Sequence, residues 1–259
     1  MKHIFLSILI VILSSIVAQA NILDDIKERG YIKVGVSLGG MPMGGRDGRN
    51  NPVGYDVDVA NRVADALGVE LRIIDVYGDA RVSMLVSKQL DMVIGNMTIT
   101  DARAKIVDFS DAYFRTGLKI AVQRGSGINS LEGLRGKRIV VGRGTSGAVF
   151  LQQQVPEAEI VYADNFAPNG ILLLRQRRVD AGIEDGSLID FLVRDINSLE
   201  AMPQEFLSGD IGMGISKGEP ELLDWVNQHI ADYVGSGDFE LYYHKWWGDD
   251  AVAPDLSTK

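Results

Sequence analysis

"DVDVANRVADALGVELRIIDV" occupies residues 56–76. Residues 56–68 read as a helix ended by Gly68, and 69–76 read as a strand. Upstream, YIKVGVS (31–37) is a strand; downstream, ARVSMLVSKQ (80–89) is a helix and LDMVIGN (90–96) the next strand. A helix between successive strands is the pattern of a parallel sheet. The pattern returns in KRIVVG (137–142), GAVFLQQQ (147–154), AEIVYAD (158–164), NGILLLRQRR (169–178) and VDAGIED (179–185). Between the two sets lies YFRTGLKIAVQ (113–123), long enough to cross from one sheet to another. A second extended run, DIGMGIS (210–216), precedes two amphipathic helices, PELLDWVNQHIADYV and DFELYYHKWW. The expected fold is α/β: two lobes, each a parallel or mixed sheet flanked by helices, joined by a two-strand hinge. Lobe 1 is expected to take 21–117 and 209–259, and lobe 2 to take 118–208. A cleft between lobes is an ordinary place for a ligand.

The first twenty positions, MKHIFLSILIVILSSIVAQA, have a basic start, an apolar stretch and then Ala18-Gln19-Ala20. This predicts a secretory signal peptide cleaved after Ala20. There is no cysteine, hence no lipid attachment through an N-terminal Cys and no disulfide. No later segment is apolar enough to span a bilayer. The mature protein is expected in a periplasm. With 26 basic and 35 acidic residues the chain carries a net charge of −9. A nucleic-acid binder would carry a basic patch, and the densest basic spot, RQRR (175–178), reads as a solvated face. The histidines are His3, His229 and His244, and no His–Asp–Glu spacing suggests a metal. No cofactor is expected.

Three loops carry candidate site chemistry. In GNMTITDARAKIVDFSD (95–111), Thr100 is a sound N-cap. Arg103 then falls in a first helical turn, where the macrodipole favours acids. A carboxylate from outside is one partner for it, and a surface ion pair with Asp101 or Asp108 is another. In VGRGTSG (141–147), Gly142, Gly144 and Gly147 form G-x-G-x-x-G between a strand and a helix, and Asp164 ends the next strand. Export and the short lobe argue against a dinucleotide. Thr145, Ser146 and the N–H groups of a helix start suit a smaller anion. AGIEDGS (181–187) ends a strand with Glu184 and Asp185. Asp185 either points into the cleft or caps the helix SLIDFLV (187–193). Asp56 and Asp58 read as capping and structural residues of the lobe.

Four stretches together resemble one family: PVGYDVDVANRVADALG, LDMVIGNMTITDARAKIVDFSDAYF, SLEGLRGKRIVVGRGTSG and PELLDWVNQHIADYVGSGDFELYYHKWWG. The chain is similar over nearly all of 24–248 to the periplasmic solute-binding proteins of the polar amino-acid uptake family (extracellular solute-binding family 3), which feed ABC importers. The resemblance implies a periplasmic-binding-protein clamp that closes on a small amino-acid ligand, works as a monomer with a membrane permease, and is not an enzyme. It implies that Arg103 grips the ligand α-carboxylate and that Thr98 donates a hydroxyl. Gly95 and Asn96 then line the cleft. Thr145 and Ser146 share the carboxylate from the other lobe, with Arg143 facing cleft or solvent, and Asp185 receives the α-amino group. Relatives place an acid near Ser37 and aromatic rings near Gly40 and at Met43. Their replacement here implies a wider, less negative side-chain pocket, favouring a glutamate- or glutamine-like amino acid or an opine over a strongly basic one. Relatives also include exported aromatic-precursor dehydratases, and Glu184 or Asp185 would be the working acid of that alternative. The stripe FELYYHKWW is expected to pack against lobe 1.

Overall fold

The computed structural model describes residues 21–256; the expected signal segment, 1–20, lies outside the described residues. Helix α1 (Ile22–Arg29) leads into β1 (Tyr31–Val36), and a short hairpin of β2 (Gly45–Arg46) and β3 (Pro52–Val53) leads to α2 (Tyr55–Leu67). Helix α2 buries Asp56, Val59, Ala60, Val63, Ala64 and Leu67, a stripe at helical spacing. It stops at Gly68, whose φ of 69° sends its N–H back to the Ala64 and Asp65 carbonyls. At its start stands Gly54, with φ 135° and no room for a Cβ, which would lie 2.5 Å from the Met43 carbonyl oxygen. Asp56 and Asp58 therefore do not cap the helix, correcting that part of their reading. Asp56 is fully buried and accepts the Tyr113 hydroxyl at 2.8 Å, while Asp58 accepts Lys245 and Trp246.

The chain continues through β4 (Glu70–Asp75), α3 (Ala80–Val86), β5 (Met92–Val93), α4 (Asp101–Ala104) and the long β6 (Val107–Gln123). There follow β7 (Arg138–Gly142), α5 (Ser146–Gln154), β8 (Glu159–Ala163), α6 (Ile171–Arg175), β9 (Ala181–Asp185), α7 (Gly186–Arg194) and β10 (Leu199–Ala201). The chain returns along β11 (Phe206–Ser216) and ends in α8 (Pro220–Gly235) and α9 (Asp238–Trp247). Strand β1 runs parallel to β4 and β5, and β7 runs parallel to β8 and β9. The expected helix 169–178 begins instead as a π turn, Phe166–Gly170, under the buried ring of Phe166.

The two expected sheets share their hydrogen bonding. The path β4-β1-β5-β11-β6-β9-β7-β8 is continuous, with β10 on β6. The reason is that β6 serves both halves: Val107–Phe114 pairs with the distal part of β11, and Leu118–Val122 with β9. Register shifts fall between Phe206 and Gly209, Ile211 and Gly212, and Gly212 and Gly214. Bulges of this kind bend and twist a strand pair, and they sit where the chain passes between halves. The cores remain separate. Two apolar clusters draw on residues 23–114 and 211–243, and two others on residues 118–206. Helix α9 packs as expected, with Tyr243 stacked on Trp247 at 4.7 Å and Phe114 on Trp247 at 5.4 Å.

Candidate functional site

A cavity of about 90 Å³ lies between the halves. At roughly 10–15 Å³ per water-sized occupant, it has room for an amino-acid-sized guest. Its wall includes Ser37, Met43, Gly95, Asn96, Thr98, Arg103, Arg143, Thr145, Ser146 and Asp185, so every predicted site residue borders it.

Arg103 lies in α4, whose N-cap hydroxyl, Thr100 Oγ1, accepts the Arg103 N–H at 3.3 Å. Its guanidinium donates to the Thr98 carbonyl at 2.8 Å and, across the cleft, to the Gly144 carbonyl at 3.1 Å. The surface ion pair is not formed: Asp108 holds Lys217, and no carboxylate among the described residues pairs with Arg103. Burial, aided by the nearby Arg81 charge, lowers its pKa to about 10, so it is a cation at neutral pH. Thr98 Oγ1 stands 3.4 Å from Ser146 Oγ on the opposite side. The Thr145 hydroxyl is committed as the cap of α5, accepting from Ala148 N and donating to the Gly142 carbonyl at 2.9 Å. That leaves main-chain N–H groups at the helix start to meet an anion there.

Asp185 ends β9 and is 6% exposed. It makes no side-chain cap to α7; instead it accepts the Asn96 amide from the other side of the cleft. Burial raises the pKa of both Asp185 and its neighbour Glu184, and the Asp185 charge raises Glu184 further. Ser37 gives its hydroxyl to the Val76 carbonyl at 2.7 Å, and Met43 is buried. Arg143 lies toward solvent, over the Tyr162 ring and 3.8 Å from Asp164.

Sequence reading passed over Arg81. It is 6% exposed and donates to the carbonyls of Gly78, Gly95 and Asn96, at 2.9, 2.7 and 3.1 Å. This fixes the loop that carries Asn96 and Thr98 against the start of α3. The signal was available: like Arg103, it is a basic residue in a first helical turn. Tyr77, Asn165 and Leu188 also border the cavity and were not singled out. Three guanidinia (Arg81, Arg103 and Arg143) and three carboxylates (Asp164, Glu184 and Asp185) around a small cavity suit a zwitterion. No histidine or cysteine is in the wall.

The model of the bacterial extracellular solute-binding proteins, family 3, matches residues 32–249. The chain belongs to this family. An L-cystine-binding protein of Escherichia coli is 31% identical over 239 residues, 91% of this chain and 89% of that protein. Among solved structures, a cysteine-binding protein from Campylobacter jejuni matches with a TM-score of 0.85 and 29% identity, covering 90% of this chain and 96% of that one. A mutant of ArgBP from T. maritima matches with a TM-score of 0.83 and 33% identity, covering 88% and 99%. The shared fold is the two-lobed clamp of periplasmic amino-acid-binding proteins of ABC importers, and family and fold are those of binding proteins rather than enzymes.

Behind the cleft of this family-3 protein, Asp56 is raised from 3.8 to about 7, chiefly because burial penalises its charge. A native pKa above the unfolded one means that the folded state holds more protons between these values. Asp56 therefore costs nothing below about pH 4, and its cost grows as pH rises to about 7. The ceiling is on the order of 4 kcal/mol, at about 1.36 kcal/mol per pKa unit. Urea unfolding at pH 5 and pH 8 is expected to show a loss of stability in the wild type that is smaller in Asp56→Asn. An equal loss in both proteins refutes the assignment.

Proposed function

We propose that this protein is the substrate-binding component of an ABC importer and holds a polar L-amino acid between its lobes. The observation that carries this reading is the placement of Arg103 and Asp185. One half-buried cation and one buried carboxylate approach the same small cavity from opposite sides, and each already reaches a polar group across it. The guanidinium offers a planar two-pronged match to the α-carboxylate. Thr98, Ser146 and the N–H groups at the start of α5 complete the anion site, and Asp185 takes the α-ammonium. Gly95 and Asn96 shape the wall between them.

The side chain of the ligand is polar and not strongly basic. At the Gly39–Met43 end Ser37 is tied to Val76, and the bordering acid, Asp164, is exposed and paired with Arg143. Family membership supports a site of action outside the cytoplasmic membrane, with residues 1–20 as the export signal and a membrane permease as partner. The working form is a monomer whose lobes are 21–117 with 209–259, and 118–208.

A thermal-shift screen across the L-amino acids, followed by titration calorimetry, tests the function. Saturable binding of uncharged or acidic amino acids, with arginine weaker, is expected; binding of none overturns the proposal. A ligand touching both lobes favours the closed state, so it shifts the population. Small-angle scattering is expected to give a smaller radius of gyration at saturating ligand, and an unchanged radius with ligand bound counts against the clamp.

A further inference from the structure

Positions 39 and 40 are glycines that border the cavity, so lobe 1 offers no side chain there. The structure fills part of that space from the opposite lobe. Asn165 lies directly over Gly39: a Cβ on Gly39 would fall 1.4 Å from Asn165 Nδ2 and 2.7 Å from Oδ1. Beside it, a Cβ on Gly40 would lie 3.0 Å from Ala167 Cβ and 3.7 Å from Leu188. The glycines are what let the amide and its neighbours come this close. Asn165 is delivered by the π turn Phe166–Gly170, which starts immediately after it and is anchored by the buried Phe166. Single π turns occur often at functional sites.

The Asn165 amide borders the cavity, caps nothing and makes no side-chain hydrogen bond among the described residues. It brings both a donor and an acceptor to a part of the wall distinct from the Arg103 and Asp185 contacts. We propose that Asn165 selects the ligand by its side chain, and that the side chain it selects ends in a carboxamide. This rests on the amino-acid reading above. A carboxamide pairs with another amide in both directions, donor to acceptor and acceptor to donor. A carboxylate would need a cation there, and Arg143 lies toward solvent, over the Tyr162 ring. An ammonium or guanidinium would need an acid there; Asp164 is exposed, and Glu184 is buried beside Asp185, where burial and that neighbouring charge favour its neutral form. An apolar side chain would leave the amide unpaired, which is how polar sites reject analogues lacking the matching group.

The test is a set of dissociation constants by calorimetry for L-glutamine, L-glutamate and L-norleucine with wild type, Asn165→Ala and Gly39→Ala. Wild type is expected to bind glutamine at least tenfold more tightly than either other probe. Asn165→Ala is expected to bring the glutamine-to-norleucine ratio within threefold. Gly39→Ala, whose methyl group takes the place of the amide, is expected to do the same with the amide still present. An unchanged ratio in either variant overturns the assignment. So does a wild type that binds glutamate or norleucine as tightly as glutamine, and in that case amino-acid binding itself still stands. A wild type that binds none of the three overturns it too, and the full amino-acid screen then decides the proposed function separately.

Discussion

Arg103→Lys is expected to weaken the binding of an L-amino acid by roughly 1.5–3 kcal/mol, the scale of a hydrogen bond to a charged group left unmade, or about tenfold to a hundredfold and more. The charge survives this change but the fork does not. In the structure the guanidinium spends one arm on the Thr98 carbonyl and another on the Gly144 carbonyl of the opposite lobe. Those two bonds orient the plane, so the remaining N–H groups can meet a carboxylate. A lysine ammonium has three donors on a flexible stem and cannot keep both anchors and the paired grip. The fold is expected to survive, because Arg103 belongs to no apolar cluster and α4 keeps its Thr100 cap. Calorimetric titration measures the loss, and a melting temperature close to wild type shows that it is local. Wild-type affinity in the variant ends the carboxylate assignment.

Asp185→Asn is expected to weaken a zwitterionic ligand at least tenfold, about 1.4 kcal/mol. The variant keeps an oxygen to accept the Asn96 amide, so the contact across the cleft persists while the countercharge goes. The desamino analogue of the same ligand presents no ammonium. Wild type should reject it, because binding would leave a buried carboxylate with the Asn96 amide but no countercharge from the ligand, and Asp185→Asn should reject it less. Four dissociation constants, two proteins by two ligands, measure the coupling. A helix-capping role would leave affinity nearly untouched, since Asn caps about as well as Asp, and the structure shows no side-chain cap from Asp185. If the four values combine additively, the ammonium is not held by this acid.

Much of this protein was legible without coordinates because its rules are local. The stripe at 56, 59, 60, 63, 64 and 67 specifies a helix face, and Gly68 ends that helix for a reason contained in one dihedral angle. Thr100 caps α4 by a hydroxyl three residues from the N–H it accepts. Alternating strands and helices set parallel pairing around β1 and around β7, and two extended runs marked the crossings. Loops at strand ends placed Arg103, Thr145 and Asp185 on the cavity wall.

What remained was decided by contacts between residues far apart in the chain, which leave no periodicity and no short motif. The reach of Asn165 over Gly39, and of Asn96 to Asp185, exists only once the lobes face each other. Asp56 resembled a capping residue because it stands at a helix start, yet the fold buries it under the Tyr113 hydroxyl and turns its charge into a cost. The Thr145 hydroxyl resembled a ligand donor, yet the turn takes it for the helix cap. The two sheets became one hydrogen-bonded path because β6 is long enough to pair with β11 at one end and β9 at the other. Sequence determined that Arg103, Thr145 and Asp185 stand at strand ends and helix starts, since those are local events. Tertiary structure determined which of their donors and acceptors remain free to bind, since a polar group is spent or spared by whatever the rest of the chain brings beside it.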